Sequence, residues 1–226
     1  MPLTASRIAH LLEPYTAIAP DASIEWPRVY DQLTEYLHIL VRWNARMNLT
    51  AIHSPEEIVR RHFGESLFAG LHLGCSTWNI PPGVRIAGSC PTERQLLDFG
   101  SGAGFPGLPI QILWPELHVT LAEARHKKAS FLREVIRSLH LHTEVWGERV
   151  EKMPANRKFS VVTMRAVDEM DAAVAAAAER AGDVLLILGT SNAGYGFLAP
   201  RFTAPELTPI PETNDGVLML FRQVQA

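Results

Sequence analysis

The sequence predicts an α/β fold: a mostly parallel, seven-stranded sheet with a C-terminal antiparallel hairpin, preceded by N-terminal helices. Three observations point to it. From "QLLDF" (95–99) onward, short apolar runs alternate with helix-period segments, the pattern of a parallel sheet covered on both faces. A glycine-rich loop, "GSGAGFPG" (100–107), follows the first of those runs. The last two strand-like runs, "ELTPIP" and "GVLMLFRQV", have no helix between them, as an antiparallel pair requires.

The N-terminal part (1–73) reads as helical. Ile24 to Trp43 is an amphipathic helix whose apolar side is Tyr30, Leu33, Leu37, Leu40 and Val41. "SPEE" announces another, with Ser54 as N-cap, Pro55 at the first position and Glu57 closing a capping box; it should run to about Leu73. Residues 74–94 are rich in Gly and Pro without a period and read as a linker or insertion. In the third part (95–226), "QLLDF", "HVTLAE", "TEVW", "FSVVTMR" and "DVLLILG" are strands. "GLPIQILW", "KKASFLREVIRSLH" (with Leu132, Val135, Ile136 and Leu139 on one side) and the Ala-rich Asp168–Ala181 are the helices between them. The three parts should form one compact unit. Right-handed crossovers then bring the carboxyl ends of the parallel strands to one edge, where ligands bind.

Composition narrows the class. Hydrophobic residues make up 47% and charged residues 20% of 226, which suits a packed core and not a disordered chain. No apolar run approaches the ~20 residues of a membrane span, and Arg7, His10, Glu13 and Pro14 interrupt any signal-peptide core, so a cytoplasmic protein without membrane contact is expected. Cys75 and Cys90 fit no metal or redox spacing and are expected as unpaired thiols; no metal site is expected. The net charge of −3 is unevenly spread: between Arg125 and Lys158 nine Lys and Arg face four Glu, whereas the chain from Asp168 onward is acidic. The basic stretch is either a surface for a polyanion or a solvated face.

The glycine loop can be read in two registers. From Gly102 it is G-x-G-x-x-G, the dinucleotide fingerprint, which directs backbone N–H groups at a pyrophosphate. From Gly100, with Gly102 and Gly104 following, it is preceded by an acid, Asp98. A carboxylate facing the crevice at the strand end, and Pro106 without an N–H at the helix start, both oppose a phosphate. S-adenosylmethionine (SAM) has no phosphate and carries a sulfonium and an ammonium, so the Gly100 register and SAM are the expectation. Glu123, about 20 residues on at the end of the second strand, suits ribose hydroxyls in either register.

The fourth strand ends in "TMRAVDE", without the Pro-Pro-aromatic cradle of amino-group methyltransferases, and neither cysteine follows the loop as a C5-methylating nucleophile would. A nucleophile needing little help remains. Guanine N7 qualifies, because its in-plane lone pair carries no proton to remove; alignment and exclusion of water would suffice, and no general base is expected.

At this point the residues resemble the RsmG (GidB) family of 16S rRNA guanine-N7 methyltransferases. The likeness spans about Trp43 to Ala166 and rests on "WNARMNLTAI", "RRHFGESL", "LLDFGSGAGFPGLPI", "KKASFLREV", "GERVE" and "MRA". It implies a class I SAM-dependent methyltransferase (Rossmann-like) fold and methyl transfer to N7 of a guanine in the 530 loop of 16S rRNA, at conventional position 527. The partner would be 16S rRNA or a small-subunit ribosomal particle, and the protein a monomer. By motif, Gly100 and Phe105 would line the cofactor loop, Glu123 would meet the ribose, and Val150 with Glu151 would flank the adenine. Arg165, ending the fourth strand, would orient the methionine side of the cofactor or reach guanine O6, unless a salt bridge to Asp168 or Glu169 occupies it. Asn44, Asn48, Arg61, His62, Lys127 and Lys128 would face RNA; the alternative is that the asparagines end a helix, Arg61 and His62 satisfy helix ends, and the lysines are a solvated first turn. The chain departs from the family in two places: Leu188 stands where a lysine is usual after the fifth strand, and 74–94 is longer than the usual link. The missing lysine leaves a non-catalytic RNA-binding scaffold as one alternative, and the Gly102 register leaves a nicotinamide-dependent oxidoreductase as another.

Overall fold

Seven strands form one sheet: β1 (Gln95–Phe99), β2 (His118–Ala122), β3 (Thr143–Trp146), β4 (Phe159–Arg165), β5 (Ala181–Thr190), β6 (Glu206–Pro209) and β7 (Gly216–Arg222). The computed structural model describes residues 3–18, 24–76, 95–165, 170–190 and 195–224. Strand order is β3-β2-β1-β4-β5-β7-β6, with β1 to β5 parallel. β7 is antiparallel to both β5 and β6, inserted between them. The fold is that of class I SAM-dependent methyltransferases. The strand order reverses at β1 and β4, with β2 and β3 added on one side and β5 on the other, which opens a crevice at their carboxyl ends. The edge strand β6 carries Glu206 and Pro209, residues that discourage further pairing.

Alternation along the strands sends Leu96, Val161 and Leu186 to one face and Leu97, Val162 and Ile187 to the other. The second face is covered by α7 (Met170–Arg180) through Val174, Ala177 and Ala178. Against the first pack α5 (Gly107–Leu113) and α6 (His126–Ser138), and outside them the N-terminal helices. The same apolar core therefore contains Leu33, Leu37 and Phe63 of the N-terminal part and Leu121 and Leu220 of the sheet.

Helix α1 (Ala5–Thr16) buries Ile8, Leu11, Leu12 and Tyr15, and Thr4 caps it by accepting from Arg7 N–H. α2 extends over Trp26–Met47, longer at its C-terminus than the periodicity suggested. Its buried stripe is Val29, Leu33, Tyr36, Leu37, Leu40 and Asn44; Val41, expected inside, is 38% exposed because it lies past the edge of that stripe. The third helix is not uniform. α3 (Pro55–Glu57) gives way to a π-helical segment (Ile58–Gly64) and then to α4 (Glu65–Ser76). Pro55 opens it as expected, but Ser54 makes no side-chain cap bond, so the capping box with Glu57 does not form. α4 runs on to Ser76, which places Cys75 in its last turn instead of a linker; Cys90 and residues 77–94 lie outside the described residues.

Gly64 ends the π-helical segment where the chain presses on α1. A Cβ there would sit 2.6 Å from the ring of Tyr15, itself fully buried. The absence of a side chain thus sets how closely this helix approaches α1, and with it the facing of Arg61, His62 and Glu65.

Under the glycine loop lies Asp98. The sequence led us to expect its carboxylate in the crevice; instead it is fully buried beneath the loop. Oδ2 accepts the N–H of Gly107, the first residue of α5, at 3.1 Å, and Oδ1 accepts the Thr163 hydroxyl at 3.0 Å. Burial pushes the Asp98 carboxyl up to about 6, against the opposing pull of Thr163, Gly107, Ser101 and Arg165.

Two outcomes follow for stability. Gly64→Ala should cost about 1–3 kcal/mol in denaturant unfolding, because the buried Tyr15 ring has no room to retreat; an unchanged midpoint would show that the contact relaxes freely. For Asp98, a carboxyl raised from 3.8 to about 6 contributes stability that is full below pH ~4 and lost as pH rises through about 6. The stability of wild type relative to Asp98→Asn should therefore fall by about 2–3 kcal/mol between pH 4 and 7. A pH-independent difference would contradict the buried, raised carboxyl.

Candidate active site

The carboxyl ends of the strands border a cavity of about 770 Å³. One half is built by the sheet: Phe99 and the glycine loop from β1, Ala122 and Glu123 from β2, and Val150 after β3. The other half comes largely from the N-terminal part: Leu49, Thr50 and His62 face Phe105 and Arg165.

Gly100, Gly102 and Gly104 have φ of +70°, +57° and +92°, the left-handed region that side chains disfavour. These are the glycines of the Gly100 register. Gly102 is not packed tightly, since a Cβ there would meet nothing nearer than 3.8 Å. Gly104 is small for another reason: Tyr36 Oη and Leu108 stand 2.6 and 2.5 Å from where its Cβ would be. Gly107, the last glycine of the Gly102 register, is a packing glycine set against Leu121 and Asp98. Its N–H, the donor a pyrophosphate would seek, is already taken by Asp98. The acid does oppose a phosphate here, by capping the helix from below and not by facing the crevice.

Glu123 closes this half. Its Oε2 accepts Gly102 N–H at 3.0 Å and its Oε1 accepts Arg125 N–H at 2.7 Å, which fixes the carboxylate at the cavity wall. Each oxygen retains a lone pair for a hydroxyl. Val150 is buried and, with Ala122 and Phe99, supplies an apolar slot; Glu151 lies beside it on the rim, in a short 3-10 turn. Turn glycines, a fixed acceptor and an apolar slot fit the glycine approach, ribose and adenine of SAM, respectively.

In the second half, aromatic rings join three elements. Phe105 of the glycine loop stacks on His62 (centroids 4.6 Å apart) and on Tyr36 of α2 (5.6 Å), and the Tyr36 hydroxyl donates to Ala103 O. Arg165 leaves the end of β4 and crosses to the π-helical segment and α4. Its Nη2 donates to Glu65 Oε2 at 2.8 Å and to Arg61 O at 3.0 Å, and its Nη1 to His62 Nδ1 at 2.9 Å. Three of the five guanidinium donors are thus spent inside the protein. Among the described residues the carboxylate partner is Glu65; Asp168 and Glu169, the expected alternatives, lie outside the described residues. Burial pulls the Arg165 pKa down, and the Glu65 carboxylate opposes it. Burial, then the charges of Arg165 and Arg61, lower the His62 pKa to about 3, so the imidazole is neutral.

The remaining residues of the expected RNA face are divided. Asn44 is buried and structural: its Oδ1 accepts Thr50 N–H at 2.9 Å and its Nδ2 reaches Ile52 O. Asn48 ends α2 in the left-handed conformation, φ +48°. Asn48 thus takes the helix-ending alternative, whereas Asn44 lies inside α2 and holds the loop that follows it, and neither lines the cavity. Arg61 is half-exposed and pairs with Glu65 Oε1 at 2.8 Å. Lys128 lines the cavity, whereas Lys127 is exposed beside it. Leu188 is a core residue, 3% exposed and registered between Arg165 and Leu218. Two functional candidates escaped sequence reading, Glu65 and Thr50. Both lie inside motifs quoted above, yet no spacing rule connects Glu65 to Arg165 across so much chain.

The chain is similar in sequence to known proteins. The family model for rRNA small subunit methyltransferase G matches residues 29–77 and 83–193. A protein of that name from Stenotrophomonas maltophilia (strain K279a) is 35% identical over 190 residues, covering 83% of this chain and 79% of the relative. One from Roseiflexus castenholzii is 42% identical over 148 residues, 63% of this chain and 56% of the relative, and one from Chloroflexus aggregans is 42% identical over 146 residues, 62% and 55%. The chain thus spans little more than half the length of these last two. No helix among the described residues is long and apolar enough to cross a membrane. With its α2–α4 signature, glycine loop and β4 arginine all inside the matched span, the chain belongs to the rRNA small subunit methyltransferase G family.

Proposed function

We propose that the protein transfers the methyl group of SAM to N7 of a guanine in the 530 loop of 16S rRNA, at conventional position 527. The observation that carries this reading is the two-part cavity, in which a SAM-type cradle of turn glycines and Glu123 adjoins a second compartment walled by Thr50, His62, Phe105 and Arg165. Bound SAM supplies an electrophilic methyl group on a sulfonium. The protein's residues have the remaining tasks. Glu123 offers lone pairs to the ribose hydroxyls, and Val150, Ala122 and Phe99 hold an apolar ring away from water. Arg165 keeps two N–H donors for the methionine end or for guanine O6, and donation to N7 would block the attacking lone pair. His62 is neutral and stacked on Phe105, so it adds no charge beside a cationic methyl donor.

No residue need accept a proton from N7, so rate enhancement reduces to alignment and exclusion of water. Lys128 and Arg125 line the cavity, with Lys127 exposed next to them in the chain, where phosphates of a folded RNA would lie. A ribosomal substrate, RNA or assembled particle, suits that open basic rim.

The decisive experiment maps N7-methylguanine in small-subunit rRNA from cells with and without the protein. The modification should be present at conventional position 527 only when the protein is. A Gly102→Val form, whose side chain would enter the cradle at a left-handed φ, should fail to restore it and should lose SAM binding in calorimetry while remaining folded. An unchanged methylation map, or wild-type SAM affinity in that variant, would contradict the assignment.

A further inference from the structure

A chain of hydrogen bonds ends at Thr50, and its direction is fixed at the other end. Arginine can only donate, so Arg165 Nη1, 2.9 Å from His62 Nδ1, makes that nitrogen an acceptor. A neutral imidazole that accepts at Nδ1 carries its proton on Nε2. Nε2 lies 2.7 Å from Thr50 Oγ1 and therefore donates to it. The same oxygen also accepts the N–H of Ile52 at 3.2 Å. Both lone pairs of the hydroxyl are then used. Only its O–H is left, and among the described residues no protein acceptor takes it. Thr50 lines the second compartment beside His62, Phe105 and Arg165, and Asn44 holds its backbone in place.

We infer that the Thr50 hydroxyl is a one-way donor that selects a purine with a carbonyl oxygen at position 6 and rejects one with an amino group there. The inference rests on the reading of the protein as a guanine methyltransferase and names a specificity residue for it. Guanine O6 accepts from Thr50 and leaves the neighbouring N7 lone pair free. Adenine would set an N–H against an O–H whose oxygen has no lone pair to offer, so two donors would meet in a confined site. Discrimination of this kind is strong because the wrong partner leaves polar groups unpaired.

The test uses small-subunit RNA carrying guanine, hypoxanthine or 2-aminopurine at the target position. Hypoxanthine keeps O6 and N7, whereas 2-aminopurine keeps N7 and lacks O6. Wild type should methylate the first two at similar rates and 2-aminopurine about ten- to a hundredfold more slowly. Thr50→Val should lose about the same factor on guanine while changing little on 2-aminopurine, and Thr50→Ser should keep the preference. Independently of turnover, nitrogen NMR of wild-type protein should find the His62 proton on Nε2. A wild type indifferent to loss of O6, equal losses on guanine and 2-aminopurine in Thr50→Val, or a proton on Nδ1 would each overturn the inference. A wild type that methylates no guanine substrate would overturn the functional reading itself, and this assignment with it.

Discussion

The buried guanidinium of Arg165 is the constraint around which the molecule is arranged. A strand end at the rim of a sheet could hold an arginine in water at little cost. Here the side chain is only 14% exposed, and a buried charge without a partner costs several kcal/mol. From the sheet, the Asp98 carboxylate favours the guanidinium less than Glu65 does, and its oxygens are committed below the loop to Gly107 and Thr163. Glu65, 6% exposed, comes from another layer of the fold. The N-terminal helices are therefore required to dock on the edge of the sheet, and docking completes the cavity.

Several features then share one purpose. The π-helical segment adds a residue to the turn before α4, so that Arg61, His62 and Glu65 all face β4. Gly64 lets that segment lie against Tyr15, and Tyr36 pins α2 to the glycine loop through Ala103. Phe105 is stacked between His62 and Tyr36, which ties the wall of the second compartment to the cradle of the first. Asp98 supports the loop from beneath and Glu123 from the side. The two halves of the site are thus held by different layers and meet at Phe105 and Arg165.

Much of this was legible in the sequence where the physics is local. "QLLDF", "HVTLA", "TEVW" and "FSVVTMR" are strands because buried parallel strands are short apolar runs, and the three turn glycines declare themselves by spacing. The antiparallel pair at the C-terminus was readable too, but not that β7 would slip between β5 and β6. Periodicity found α2 yet tilted its face: Tyr30 and Val41 flank a stripe that really runs through Val29, Tyr36 and Asn44. Ser54 and Glu57 had the residues of a capping box, but Ser54 makes no cap bond and the helix that followed took π geometry. Glu65, Thr50 and the buried role of Asp98 were hidden for a common reason. Each is defined by a partner in another element, His62 for Thr50, Arg165 for Glu65 and Thr163 for Asp98, and no local rule encodes such a partner.

The central claim is that the Arg165–Glu65 pair joins the N-terminal layer to the sheet. A double-mutant cycle in denaturant unfolding tests it most directly, using Glu65→Leu, Arg165→Met and the combination. Glu65→Leu alone strands the guanidinium and should cost about 3 kcal/mol or more, while the double variant should recover much of that loss, giving a coupling energy of about 2 kcal/mol or greater. Losses that simply add, with coupling below about 0.5 kcal/mol, would mean that the pair does not hold the layers together.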